Sequence, residues 1–175
     1  VDDSEPLSPG DFIGKWMTLI EPAAERAGPR REGGPRSTAI VSSVYSQAMN
    51  AWGVELQRAG MLDDAASHFI RALKVNPDNA SAETNLEVNR RLKTAREKAT
   101  VASAATDAKF ARLRTWPAVL AANGPIDEPR YCTQIGESFS KLGLPRQAGQ
   151  QFLRATTLDP EAFEPRAGLI DIFTQ

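Results

Sequence analysis

His68 is the only histidine and Cys132 the only cysteine in this 175-residue chain. Together they are the one pair that could supply a nucleophile and its base. Their surroundings point to packing instead. His68 directly precedes Phe69 in a stretch of helical apolar spacing, and Cys132 takes a position that Met49 fills elsewhere. The adjacent carboxylates Asp63 and Asp64 could suggest acid–base work, but they stand where a helix begins. There they read as a cap and as charge favourable to the helix dipole. No His/Cys cluster has metal-ligand spacing. The glycines of 28–36, Gly-Pro-Arg-Arg-Glu-Gly-Gly-Pro-Arg, are not followed by the Gly-Lys-Ser/Thr of a phosphate loop, so that stretch reads as a linker. The expectation is a chain that is not an enzyme, with no cofactor and no metal.

Charge offers a second kind of site. Arg90, Arg91, Lys93, Arg96 and Lys98, followed by Lys109, Arg112 and Arg114, face only Glu97 and Asp107. This tract carries +6 in a chain of net charge −1. It could hold an anion, an acidic partner or nucleic acid. The plainer reading is a solvated helix with i, i+4 pairs such as Glu87–Arg91 and Lys93–Glu97. No aromatic interleaves the densest part, which makes nucleic acid the weaker reading.

The elements that position these residues repeat. Met49-x-x-Trp52-Gly53-x-x-Leu56, Gly60, Ala65-x-x-x-Phe69-x-x-Ala72 and Pro77 recur as Cys132-x-x-Ile135-Gly136-x-x-Phe139, Gly143, Ala148-x-x-x-Phe152-x-x-Ala155 and Pro160. Each matched pair lies 83 residues apart, as Gly53 does from Gly136. A mid-helix glycine costs about 1 kcal/mol against alanine. That cost makes sense if a neighbouring helix packs on the backbone there. Ala65, Ala72, Ala148 and Ala155 are the expected small contacts, Phe69 and Phe152 the fillers, and Gly60 and Gly143 the left-handed helix ends.

This pattern resembles the tetratricopeptide repeat (TPR). The resemblance implies an all-α fold: a short array of helical hairpins, an α-solenoid. Two repeat-plus-helix units would be separated by an irregular insertion, with an N-terminal helix docked on them. The expected segments are 1–36 for that helix and loop, 37–98 for the first unit, 99–126 for the insertion and 127–175 for the second unit. The resemblance also implies a noncatalytic protein-interaction module whose concave face takes a peptide. Carried onto this chain, the groove would be lined by Gln47, Asn50, Val54, Gln57, Ser81, Thr84, Asn85, Val88, Arg130, Thr133 and Glu137. Asn50 and Val54 stand where members that clamp chaperone tails need a Lys and an Asn, which argues against that ligand. Packing requires none of Asn50, Gln57, Asn85 and Arg130, so they are expected to hydrogen-bond an acidic or polar peptide, steered by the basic tract.

The remaining chain is read in order. Phe12, Ile13, Trp16, Met17 and Ile20 form a helical stripe for docking on the array, or for a membrane or partner. Ser37 or Thr38 is expected to cap a helix running toward Ala59, and a further helix is expected from Ser81 to about Lys98. The stretch 99–108 shows no strong period. Phe110, Leu113, Trp116, Val119 and Leu120 then recur at helical spacing, with Thr115 as cap and Pro117 in the first turn. Asp127 is expected to cap the next helix. No apolar run approaches the roughly 20 residues that span a bilayer. The chain begins with Val and is expected to be part of something longer. The stretch Asn123–Arg130, with repeats around it, also resembles the repeat-bearing tails of large bacterial membrane proteins, some of glycosyltransferase type. That implies a soluble bacterial domain, cytoplasmic or periplasmic, with a regulatory or assembly role. Neither compartment nor oligomeric state follows from the sequence.

Overall fold

A computed structural model describes residues 36–94 and 103–174. Among these residues all regular structure is helical. The helices are α1 (Arg36–Arg58), α2 (Leu62–Val75), α3 (Ala80–Thr94), α4 (Ala104–Ala111), α5 (Trp116–Asn123), α6 (Pro129–Lys141), α7 (Pro145–Leu158) and α8 (Glu164–Phe173). Helices α1, α2 and α3 pack in succession, as do α6, α7 and α8. The expected N-terminal stripe from Phe12 to Ile20 lies outside the described residues, as do Arg96 and Lys98 of the basic tract.

The two units turn in the same way. Met61 N–H donates to Leu56 C=O and Gly60 N–H to Gln57 C=O; Leu144 and Gly143 do the same to Phe139 and Ser140. Gly60 and Gly143 sit at φ 79° and 71°, the left-handed conformation of a Schellman-type helix end. Inside each hairpin the phenylalanine ring packs against the glycine backbone. A Cβ added at Gly53 would stand 2.5 Å from the Phe69 ring, and one at Gly136 2.7 Å from Phe152. Ala65, Ala72, Ala148 and Ala155 are wholly buried. The expected packing of the repeat is therefore present in both copies.

The insertion folds more regularly than its composition suggests. Ser103 Oγ accepts from Thr106 N–H and starts α4, a helix that the weak periodicity of 99–108 hides. Thr115 caps α5 as expected, accepting from Ala118 N–H, with a proline in the first turn. Phe110, Trp116 and Tyr131 form a ring cluster, with centroids 5.1 to 5.7 Å apart. Ala80, Val119, Ile126 and Ile135 pack with it, so this core joins α3, α4, α5 and α6. Among the described residues none covers the far side of α8, where Phe163, Ile170 and Phe173 are exposed.

Three expected caps differ. Ser37 and Thr38 fall inside α1, which already includes Arg36. Met61, without a side-chain hydrogen bond, precedes α2, while Asp63 and Asp64 lie in its first turn. Their contribution is to the helix dipole. The side chain capping α6 is Glu128, which accepts from Tyr131 N–H, and Asp127 is thereby released for a different role.

Candidate functional site

Gln47, Asn50, Val54 and Gln57 fall on one side of α1 because they recur every three or four residues. Ser81, Thr84, Asn85 and Val88 do the same on α3. Asn50, Val54, Gln57 and these four α3 residues are all buried. The chain's own stretch 122–127 crosses this face and takes up Gln47, Asn50, Gln57 and Asn85, whereas Val54 packs inside the unit with Phe69 and Leu86.

The contacts are those of a peptide in a groove. Gln47 Nε2 donates to Ala122 C=O at 2.9 Å. Asn50 Nδ2 donates to Asn123 C=O at 3.0 Å and Pro125 C=O at 2.8 Å. Asn85 Nδ2 donates to Pro125 C=O and to Asn50 Oδ1, and Asn85 Oδ1 accepts from Asp127 N–H at 2.8 Å. The Asn123 side chain accepts from Ala80 N–H at the start of α3. At Gly124, φ is 80°, and a Cβ would meet Asn50 Nδ2 at 3.1 Å and Gln47 C=O at 3.2 Å. Only glycine fits both the conformation and the gap. The two asparagines read main-chain atoms, as expected, but the main chain belongs to this protein. The first groove is filled from within.

Asp127 anchors the end of that segment. Its carboxylate is wholly buried and accepts from Gln57 Nε2 at 2.7 Å, Arg58 Nε at 3.3 Å, and Arg154 Nε and Nη2 at 2.7 and 2.5 Å. Burial works against the Arg154 charge. The hydrogen bond to Asp127 and its negative charge outweigh that and hold the guanidinium above its ordinary pKa. Arg58 belongs to the first unit and Arg154 to the second, so one carboxylate ties them together. Nothing local to these residues marks the pairing, because 27 residues separate Asp127 from Arg154 and 69 separate it from Arg58.

The second unit presents the corresponding face without a cover. Arg130, Thr133 and Glu137 line an open cleft of about 390 Å3, together with Pro129, Gln134, Ala155, Asp159, Ala162, Glu164 and Pro165. Subtracting the 83-residue offset maps these onto Ser46, Gln47, Asn50, Ala51, Val54, Ala72, Asn76, Asn79, Ser81 and Ala82. Gln47 and Asn50 are among those that touch the internal segment. The cleft is thus the duplicate of the filled groove.

The other candidates are engaged elsewhere. Cys132 is wholly buried and its thiol donates to Ile126 C=O; burial, with the nearby Asp127 charge, pushes its pKa up to about 12. His68 Nδ1 bonds Asp64 C=O at 2.9 Å, and its ring stands edge-on to Trp52. In the basic tract Arg90 and Arg91 each meet Glu87 at 3.5 Å, Lys93 meets Asp63, and Lys109 meets Glu83.

These observations together describe a TPR-like array. No family model matches the chain, and neither does any curated protein. Among solved structures the chain is similar to "First TPR of Spaghetti (RPAP3) bound to HSP90 peptide SRMEEVD", at 19% identity and a TM-score of 0.31, over 75% of this chain and 93% of that one. So loose a superposition carries no argument about ligand. The assignment rests on the duplicated hairpins themselves.

Proposed function

We propose that the chain is a noncatalytic interaction module that holds an extended peptide on the inner face of its second unit. One observation carries this reading: the duplicate face in the first unit already holds the end of α5 and the non-helical segment that follows it, 124–127, by hydrogen bonds to main-chain atoms. The second unit offers the same face uncovered and lined by the polar side chains of Arg130, Thr133, Gln134 and Glu137, so an outside strand of suitable shape can take the equivalent place through contacts of its own. Gln47, Asn50, Gln57 and Asn85 hold the internal segment, and Arg130, Thr133 and Glu137 receive the outside one. The affinity of so small a cleft is modest alone and rises when partners are tethered.

The stretch Asn123–Arg130, on which the likeness to bacterial membrane-protein tails rests, has a use inside this fold as the occupant of the first groove. Among the described residues no helix is long and apolar enough to cross a membrane. The described lysines of the basic tract are in ion pairs, which favours the solvated-helix reading over nucleic acid.

Selection from a displayed random dodecapeptide library against the whole chain tests the proposal. Peptides should be recovered whose capture is lost in Thr133→Trp, a substitution that fills the cleft, while circular dichroism and melting stay as before. Recovered peptides that bind Thr133→Trp as well as the parent would place the site elsewhere.

A further inference from the structure

We propose that the open cleft of the second unit selects peptides carrying lysine or arginine; this rests on the cleft being the peptide site. The two duplicate faces differ in the residues that line them. In the filled groove neutral amides supply the contacts to the segment's main chain, and the charged ones, from Arg58 and Arg154, go to the Asp127 carboxylate alone. In the cleft Asn50 is matched by Thr133 and Asn85 by Gly168, so the two amides that clamp the backbone are absent. Charge has entered in their place. Val54, Asn76 and Ser81 correspond to Glu137, Asp159 and Glu164, all three lining the cleft.

One cation came with them: Gln47 corresponds to Arg130. Its guanidinium is already committed, lying 3.1 Å from Asp107 and over the Tyr131 ring. The wall therefore shows three carboxylates and an arginine whose charge is answered from outside the cleft. Glu137 and Glu164 are exposed, so neither loses much hydration by meeting a cation. A segment bearing basic side chains is the occupant that such a wall attracts and orients, and an acidic one is repelled. The acidic ligand expected from the basic tract is thereby replaced. That tract's described lysines are paired with acidic neighbours, and the groove next to it is full.

The same dodecapeptide selection, run at low and at high salt, tests the inference. Recovered peptides should be enriched in Lys and Arg. A synthetic copy of the most enriched one should lose about tenfold in affinity at high salt, as screening of exposed charges requires. It should lose at least as much against the double variant Glu137→Lys/Glu164→Lys. The two residues are exposed, so that variant should keep the parent's melting temperature. Neutral or acidic peptides that Thr133→Trp blocks would overturn the charge selection and leave the peptide site standing. Recovery of no peptide that depends on Thr133 would overturn both.

Discussion

At the scale of single residues, burial decides what the reactive groups do. Cys132 keeps its proton because a thiolate there would lose its water and face Asp127 and Glu128. A thiol held protonated to about pH 12 is a poor nucleophile. Iodoacetamide at pH 8 should therefore modify the folded chain about 100-fold more slowly than the unfolded one, with the rate tracking opening of the fold. Fast labelling of the native protein would contradict this. The sign of the pH dependence follows. The folded pKa is raised above the ordinary value of 9.0, so the thiol's contribution to stability is complete below about pH 9 and is lost as pH rises toward 12. Tyr131, whose hydroxyl burial and Asp107 push up, acts in the same direction. Urea midpoints should fall above pH 9, and Cys132→Ala should make that fall shallower without abolishing it. A parent midpoint that is flat to pH 11 would refute the assignment.

At the scale of elements, the amides of α1 and α3 act as one ladder. Asn50 serves Asn123, Pro125 and Asn85; Asn50→Ala strips Asn123 C=O of this partner and leaves Pro125 C=O and Asn85 Nδ2 with only their bond to each other. An unsatisfied buried group costs about 1–3 kcal/mol. Asn50→Ala and Asn85→Ala should each lower stability by about 2–3 kcal/mol, and the double variant by less than the sum because the two share partners. Urea titration of the three variants checks this; stability within error of the parent would mean that the segment is not held. The sequence made the hairpins legible for a local reason. Gly53 with Phe69, and Gly136 with Phe152, are short-range constraints that leave a fixed spacing. It also placed Asn50 and Asn85 on an inner face that reads backbone. The source of that backbone was not legible, because 73 residues separate Asn50 from Asn123 and nothing local to either marks the pairing. Likewise Ser103 opens a helix whose alanines carry no apolar period, since only Phe110 of α4 is buried.

At the scale of the whole molecule, two similar units are joined by the apolar core that α3 to α6 share and by one buried carboxylate. The insertion crosses the first unit's inner face and delivers Asp127 to Arg58 on α1 and Arg154 on α7. This geometry explains why the duplicated faces differ in use: the connecting segment fills the first face on its way to the second unit. Removing the carboxylate leaves the Arg154 side chain, 16% exposed, without its bidentate partner. Loss of one member of such a pair costs about 3–5 kcal/mol. Asp127→Ala should lower stability by that amount, but unevenly. Among the described residues the second unit has an uncovered apolar side at Phe163, Ile170 and Phe173, whereas the first is backed by α4 and α5. Once the joint is cut, α6, α7 and α8 should open first. Native-state hydrogen exchange should then show the amides of α6–α8 exchanging through a lower-energy opening than those of α1–α3, while in the parent the slowest amides of both groups report the same global event. An equal loss of protection in the two units would show that the carboxylate stabilises one indivisible core and does not join two units.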